Sequence, residues 1–245
     1  MKSKSFFFRI SRNNKFLEKI YLWYNVYIRN FEYHFINSHK NSQFGEEKFI
    51  FKHFSKNFKG KFLDIGCFHP TRNNNTYKLY KRGWTGINID LNPISIDLFN
   101  LARPKDVNIC TAISDKKSVK KLYFLGDLNT TNTIEKNHTK FLNQEFSISN
   151  SDIETRKVKT ETLNHILEKY KYYKIDFMNI DIEGHELKAL TAFNFKKFDI
   201  KLICIEIINH NKKSVSVNNK LIKFLKIKGY TLQDKIAVNY IFKKK

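Results

Sequence analysis

The chain has 245 residues, of which 41% are hydrophobic, so it is long and apolar enough to form one domain with a full core. Its 15% aromatic residues exclude an intrinsically disordered segment. The three cysteines (Cys67, Cys110 and Cys204) are odd in number and far apart, which argues against a disulfide framework or a structural zinc site. This cysteine usage predicts a reducing compartment, and we expect a cytoplasmic protein.

The net charge of +22 would attract polyanions such as nucleic acid, anionic lipid or phosphorylated substrates. However, lysines outnumber arginines 38 to 7. Arginine is the residue that makes bidentate contacts with phosphate and guanine, and here it is scarce. The charge alone therefore does not predict a nucleic-acid partner, and we do not expect one.

The N-terminal residues 1–58 are predicted to form a helical segment that packs on the main domain. Residues 15–36 combine aromatic and basic side chains as an amphipathic helix does, and such a helix could instead contact a membrane surface. A second helix is predicted at 44–54. The apolar run near the N-terminus has only three residues, whereas a signal peptide needs about 7–15 and a spanning helix about 20. Neither is predicted.

Residues 59–245 alternate short apolar runs with helical stretches. This alternation predicts an α/β fold with a mostly parallel sheet, right-handed crossovers and helices on both faces. Residues 126–156 are polar without periodicity and are predicted to be a long loop on the substrate side. Strands are predicted at 61–66, 85–90, 106–114, 120–125, 174–181 and 200–208, helices at 92–102, 161–170, 184–192 and 217–227, and a closing hairpin at 230–233 and 235–242.

Acidic residues end the first two predicted strands. Asp64 stands two positions before Gly66, and Asp90 ends the next strand. Ligands of doubly wound sheets bind at this edge, where an acidic side chain can hold the hydroxyls of a ribose. The dinucleotide fingerprint GxGxxG is absent, because cysteine, phenylalanine and histidine follow Gly66. S-adenosylmethionine, with a ribose and an ammonium but no phosphate, therefore suits this pattern better than NAD.

A further acidic turn follows the predicted strand 174–181, with Asp181, Glu183 and Glu186 in close succession. We expect Asp181 to face a substrate, while Glu183 or Glu186 could instead begin the next helix, whose N-terminal dipole favours anions. Methyl transfer to an alcohol requires alignment of the hydroxyl and removal of its proton. The candidate bases are His69, Asp181 and Glu183.

A divalent metal ion is a second means of activating a hydroxyl. Asp181, Glu206 and His210 end neighbouring predicted strands and could bind one. Both a metal-dependent and a metal-free site remain open.

Six ordered motifs resemble the FkbM family of methyltransferases and together span roughly residues 43–208. They are QFGEEKFI (43–50), DIGCFHP (64–70), NNTYKLYKRGWTGINIDLNP (74–93), AISD (112–115), FMNIDIEGHELKAL (177–190) and LICIEI (202–207). The resemblance implies a class I Rossmann-like methyltransferase fold with a seven-stranded sheet and a C-terminal antiparallel hairpin. It also implies binding of S-adenosylmethionine and methylation of oxygen, commonly on sugars of bacterial surface glycans or natural products.

The resemblance assigns roles to individual residues. Asp64 and Gly66 would contact the methionine moiety of the cofactor, and Asp90 would hold its ribose. Asn75 and Thr76 would lie in a loop near the cofactor, and the strand of Ala112 would pass its adenine. Asp181 and Glu183 would face the methyl donor and the acceptor. The resulting hypothesis is a sugar O-methyltransferase of surface polysaccharide synthesis, acting on a nucleotide-activated or glycan-linked sugar. The alternatives are a nucleic-acid methyltransferase, although no (D/N)PP(Y/F) motif occurs, and a non-catalytic binding protein of the same fold.

Overall fold

A seven-stranded sheet forms the centre of the molecule in the computed structural model, which describes residues 14–36, 42–207 and 215–245. The described residues contain the strands β1 (Lys61–Ile65), β2 (Thr85–Asp90), β3 (Val107–Cys110), β4 (Ala112–Ile113), β5 (Ser118–Phe124), β6 (Glu154–Glu161), β7 (Lys174–Ile180), β8 (Asp199–Glu206), β9 (Tyr230–Ile236) and β10 (Asn239–Lys244). The order in the large sheet is β3-β2-β1-β7-β8-β10-β9, and β10 is antiparallel to both of its neighbours. This confirms the predicted mostly parallel sheet and its antiparallel closing hairpin.

Helices cover both faces of this sheet. They are α1 (Lys15–Trp23), which continues through a π-helical turn (Tyr24–Ile28) into α2 (Arg29–Ile36), then α3 (Glu47–Ile50), α4 (Tyr77–Lys81), α5 (Pro93–Ala102), α6 (Lys136–Phe146), α7 (Leu163–Lys169), α8 (Glu186–Thr191) and α9 (Val215–Ile227). The central strands β1, β2, β7 and β8 are buried on both sides, which explains their nearly continuous apolar sequences. At the start of α5, Asn92 accepts a hydrogen bond from the Ile94 amide, and Pro93 is the first helical residue.

The N-terminal helix lies against α5, where Asn25 and Val26 are buried. No helix in the described ranges is long and apolar enough to cross a membrane. The second predicted helix, 44–54, is wrong in its extent: only α3 is α-helical, and a single 3-10 turn, Phe51–His53, follows it.

A second, three-stranded sheet with the order β4-β6-β5 stands beside the main one. The prediction of one strand at 106–114 is wrong, because the chain leaves the main sheet at Thr111. The Thr111 amide still bonds to the Asp90 carbonyl (2.9 Å), whereas Ala112 already pairs with Thr160 of the second sheet. The sequence VNICTAI (107–113) is rich in strand-forming residues on both sides of Thr111, and this concealed the change of sheet.

The prediction of a continuous loop at 126–156 is also wrong, because this segment contains α6, a 3-10 turn and the start of β6. Among the described side chains of α6, only His138 and Leu142, four residues apart, are exposed by 1% or less, so its apolar periodicity is weak. The start of β6 is exposed and polar, so it lacks the apolar alternation that identifies strands.

The hairpin turn was predicted at Asp234 but lies at Ala237 and Val238, because β9 extends to Ile236. Ala237 adopts a positive φ of 50°, a conformation in which glycine is the usual residue. The apolar residues of this turn resemble a strand in the sequence, which explains the misplaced boundary.

Candidate active site

A cavity of about 490 Å³ lies at the carboxyl ends of β1, β2, β7 and β8. Its wall carries six carboxyl side chains, from Glu46, Asp64, Asp90, Asp181, Glu183 and Glu206. None of the described residues that line it is a lysine or an arginine. The protein is therefore strongly basic in total but has an acidic cavity, which suits a cation better than a phosphate.

Gly66 lines the cavity at the turn that follows β1. It has a φ of 75°, and its amide donates to the Ile89 carbonyl (2.8 Å). A Cβ atom at this position would lie 1.7 Å from the backbone oxygen of Asp181. Glycine is needed here because the ends of β1 and β7 approach so closely, so this requirement comes from the fold itself.

Asp64 lies at the base of the cavity and is held entirely by protein donors. One carboxylate oxygen accepts from Asn74 (3.0 Å) and Thr76 (2.8 Å), and the other accepts from Asn179 (2.9 Å). The fully buried Arg103 donates to Thr76 (2.8 Å) and Asn74 (2.7 Å). Burial raises the pKa of Asp64, while these hydrogen bonds and the charge of Arg103 oppose the shift. The carboxylate thus fixes the 74–76 loop onto β1.

The two loop residues assigned to the cofactor separate in the structure. Asn75 lines the cavity, where its amide donates to the Asn179 side chain (2.9 Å). Thr76 is fully buried behind Asp64 and is not part of the cavity wall. This position contradicts a direct cofactor contact for Thr76, because its hydroxyl is bonded to Asp64.

The wall at the end of β2 has spare hydrogen-bonding capacity. The two carboxylate oxygens of Asp90 accept one amide each, from Phe68 (2.8 Å) and Asn92 (2.7 Å), and each oxygen keeps a second lone pair. Burial raises the pKa of Asp90 to about 6. The buried Ser95 hydroxyl also lines the cavity and has no hydrogen-bond partner among the described residues, and Ala112 is a further lining residue. These groups fit a nucleoside with a hydroxylated ribose.

The opposite wall carries a cluster of three carboxyl groups, which we call the acidic corner: Asp181, Glu183 and Glu206. One oxygen of each lies within 4.8 Å of the others. Burial raises the pKa of Asp181 to about 7, with a further contribution from the charge of Glu183, and burial raises that of Glu183 to about 8. Burial and the charge of Asp181 also raise the pKa of Glu206. Close carboxyls resist simultaneous ionisation, so the corner tends to hold protons or a cation.

The acidic corner partly matches the predicted metal site. Asp181 and Glu206 come together as expected, Glu183 takes the third position, and His210 lies outside the described residues. The Glu206 Oε2 atom is buried and has no hydrogen-bond partner in the described part of the chain. Oxygen donors of this kind suit Mg²⁺, Ca²⁺ or Mn²⁺.

His69 is not placed where a catalytic base must be. It is fully buried and outside the cavity wall, and its Nδ1 accepts from the amides of Thr71 (3.2 Å) and Arg72 (3.3 Å). Burial lowers its pKa well below 6.5, so the ring is neutral. The prediction of a base role is wrong, because the imidazole organises its own loop instead.

His185 and Glu186, which follow Gly184 in the acidic turn, have positioning roles. His185 bonds through Nε2 to the Ser114 hydroxyl (2.9 Å) and through Nδ1 to Glu135, so it links β4 and the 126–156 segment to the acidic corner. Glu186 accepts from the amides of Ile182 (2.9 Å) and Gly184 (3.2 Å), and it fixes the turn before α8. Of the two predicted helix-start residues, Glu186 therefore has that role, while Glu183 faces the cavity.

Sequence reasoning missed two contacts at the rim of the site. His138 of α6 places Nε2 3.0 Å from the Glu183 carboxylate. Glu46 accepts from the Asn239 amide (2.6 Å), across 193 positions of the chain. His138 shares its helix face with Leu142, and this spacing was the available signal. No local pattern links Glu46 to Asn239.

A mostly parallel sheet of this order, with an antiparallel closing hairpin and a cavity at its carboxyl edge, is the class I Rossmann-like fold that the resemblance implied. Residues 64–232 match the model of the methyltransferase FkbM domain. The chain belongs to the FkbM methyltransferase family, and S-adenosylmethionine is the cofactor that this family implies.

Two solved structures show weak similarity to the chain. A TehB-like SAM-dependent methyltransferase from Corynebacterium glutamicum is 13% identical with a TM-score of 0.44, over 89% of this chain and 97% of that one. A methyltransferase FkbM from Methylobacillus flagellatus is 12% identical with a TM-score of 0.41, over 78% of this chain and 44% of that one. No curated protein matches the sequence.

Proposed function

We propose that this methyltransferase transfers the methyl group to a hydroxyl oxygen of a sugar, with the acidic corner as the catalytic centre. The observation that carries the proposal is that one cavity joins the Asp90 wall to the acidic corner. A nucleoside held at the first would direct its reactive group toward the second. S-adenosylmethionine supplies the methyl group when bound.

Asp90 and Ser95 are the residues that would hold the nucleoside. The Asp90 oxygens have spare lone pairs for two ribose hydroxyls, and the Ser95 hydroxyl is without a partner in the described structure. The carboxyl-rich wall suits a sulfonium and an ammonium group, because both are cations.

Asp181 is the group that would accept the proton of the acceptor hydroxyl. Its raised pKa, about 7, lies near the working pH, which is favourable for a general base. Glu183 lies in the same corner and is the second candidate. The contribution of the protein is otherwise alignment of the acceptor oxygen, as expected for a displacement at carbon.

The character of the wall supports a polyhydroxylated acceptor. Side-chain amides and hydroxyls donate and accept hydrogen bonds as sugar hydroxyls do. The cavity is lined by Asn73, Asn75, Asn129, Thr130, Thr131, Asn132, Asn179 and Asn239. Four of these belong to the 126–156 segment, which supports its predicted place on the substrate side.

The charge of the wall distinguishes between acceptors. Because the described lining contains six carboxyls and no lysine or arginine, a phosphate inside the cavity would be repelled. This favours a glycan-linked sugar, as in surface polysaccharide synthesis, over a nucleotide-activated sugar with a buried diphosphate. The same charge disfavours nucleic acid.

The three cysteines form no disulfide with one another, which supports action in the cytoplasm.

A divalent cation bound by the acidic corner is the alternative route to the activated hydroxyl. The Glu206 Oε2 atom and the 4.8 Å spacing of the carboxyl oxygens favour this route. It leaves the acceptor class unchanged.

The decisive experiment is transfer of labelled methyl to neutral oligosaccharides, nucleotide sugars and RNA, with and without EDTA. We expect label on the neutral sugars, whereas label only on RNA or on nucleotide sugars would contradict the proposed acceptor. Loss of activity in EDTA, restored by Mg²⁺ or Mn²⁺, would assign the cation route. Binding of S-adenosylhomocysteine is measured in parallel by thermal shift, and its absence would indicate a non-catalytic protein.

A further inference from the structure

The N-terminal helix exposes a continuous row of apolar side chains, which we call the aromatic stripe. Phe16, Phe31 and Phe35 are 69%, 73% and 82% exposed. The stripe consists of Phe16, Ile20, Trp23, Tyr27, Phe31 and Phe35, with Tyr24 beside it. Steps of three or four residues place these side chains on one face of the helix.

The π-helical turn keeps the stripe straight. The three steps from Trp23 to Phe35 are of four residues each, and in a regular α-helix each would rotate the stripe by about 40°. A π-turn adds one residue to a turn and so opposes this drift. The turn spans Tyr24–Ile28, in the middle of the helix. The irregularity thus aligns the two halves of one apolar face.

The stripe is distinct from the face that packs on the protein. Asn25 and Val26 are buried, and α1 and the π-turn contact α5. The stripe side chains instead contact one another: the rings of Trp23 and Tyr27 lie 5.6 Å apart, and those of Phe31 and Phe35 lie 6.5 Å apart. The helix therefore has one face that packs on the domain and a second, apolar face that is exposed.

The charge of the N-terminal sequence indicates the chemistry of a partner. Residues 1–36 contain seven basic residues (Lys2, Lys4, Arg9, Arg12, Lys15, Lys19 and Arg29) and two acidic ones (Glu18 and Glu32), in a protein of net charge +22. Aromatic side chains, Trp and Tyr especially, are enriched where hydrocarbon meets headgroups, and basic residues beside them attract anionic lipid. An extended negative surface with an apolar interior complements both properties.

We propose that the aromatic stripe binds the surface of an anionic phospholipid bilayer, with the helix in the plane of the interface. The experiment is co-sedimentation of the full chain with vesicles of phosphatidylcholine and phosphatidylglycerol, compared with vesicles of phosphatidylcholine alone. We expect binding to the mixed vesicles and at least tenfold weaker binding to the neutral ones. Failure of the wild-type chain to bind the mixed vesicles would overturn the proposal.

The stripe is tested by the triple variant Trp23→Ser, Phe31→Ser and Phe35→Ser. Its matched control is Val119→Ser with Ile227→Ser, which removes apolar side chains that are 62% and 83% exposed elsewhere. We expect the triple variant to bind mixed vesicles at least tenfold more weakly and the control to bind within twofold of wild type. If the triple variant is fully folded and binds like wild type, lysine charge alone explains the binding and the stripe has no role. If the wild-type chain is instead a dimer and the triple variant a monomer, the stripe is an interface between two copies of the chain.

Tryptophan fluorescence gives a second readout, because the chain has only two tryptophans. Trp23 is half exposed on the stripe, whereas Trp84 is buried in the core. Insertion of the stripe should shift the emission to shorter wavelength in wild type, and Trp23→Phe should abolish the shift while binding persists. A shift that survives in Trp23→Phe would contradict insertion at this face.

Discussion

Two groups of carboxyls in this protein have opposite surroundings. Asp64 accepts hydrogen bonds from three neutral side chains and lies near the buried Arg103. The acidic corner, formed by Asp181, Glu183 and Glu206, has mainly further carboxyls as neighbours. A carboxylate surrounded by donors fixes structure, whereas carboxyls that repel one another are available to bind a cation or to move a proton.

The largest expected effect is on the structural side of this comparison. Asp64→Ala removes the acceptor for Asn74, Thr76 and Asn179 and takes from the buried Arg103 the carboxylate that most stabilises its charge, which leaves Asp106 as the next one. We expect unfolding free energy to fall by about 3–5 kcal/mol, measured by urea denaturation. Glu206→Gln is the control and should cost under ~1 kcal/mol, because that carboxyl has few donors to lose. If Asp64→Ala lowers the unfolding free energy by less than ~1 kcal/mol, Asp64 stabilises the fold no more than the carboxyls of the acidic corner do.

On the catalytic side, Asp181→Asn keeps the shape of the side chain but removes its basicity. We expect kcat to fall by about 10²–10⁴-fold. Binding of S-adenosylhomocysteine should stay near the wild-type value, as measured by calorimetry. Asp199→Asn, at a surface ion pair with Lys244, is the control and should leave kcat unchanged. An active Asp181→Asn enzyme would move the base role to Glu183.

Asp90 is intermediate, because its carboxylate holds two backbone amides and also faces the cavity. Asp90→Asn halves its capacity to accept hydrogen bonds. We expect about tenfold weaker binding of S-adenosylhomocysteine, corresponding to ~1.4 kcal/mol, with a smaller effect on stability. Unchanged affinity would show that the ribose is held elsewhere on the wall.

The last expected effect, on the pH dependence of stability, is spread over several pH units. Burial raises the folded-state pKa of Asp181 to about 7, above its ordinary value of 3.8, so its ionisation opposes folding. Its contribution to stability is therefore complete below its ordinary pKa and is lost as the pH rises through about 7. Between pH 5 and 7 we expect wild type in EDTA to lose up to ~1.4 kcal/mol more per pH unit than Asp181→Asn. Parallel pH profiles of the two proteins would contradict the shift.

Sequence patterns were sufficient for the main sheet and for the strand ends that bear Asp64, Asp90 and Asp181. Apolar runs and their spacing are local properties, and parallel strands necessarily bring their carboxyl ends to one edge. The failures lie where local pattern is weak. The break at Thr111, the helix α6 and the start of β6 are examples, because half-exposed elements lack a strong period.

The sequence by itself determined the family, the sheet and the acidic residues at its edge, because these follow from ordered motifs and from periodicity. Only the tertiary structure decided which carboxyls are neutralised by donors. Asn179 reaches Asp64 across 115 positions of the chain, and His69 turns away from the cavity into its own loop. The tertiary structure also decided which apolar face of the N-terminal helix stays exposed. Burial and hydrogen-bond partners are set by contacts between distant segments, and those contacts control the pKa and the availability of each side chain.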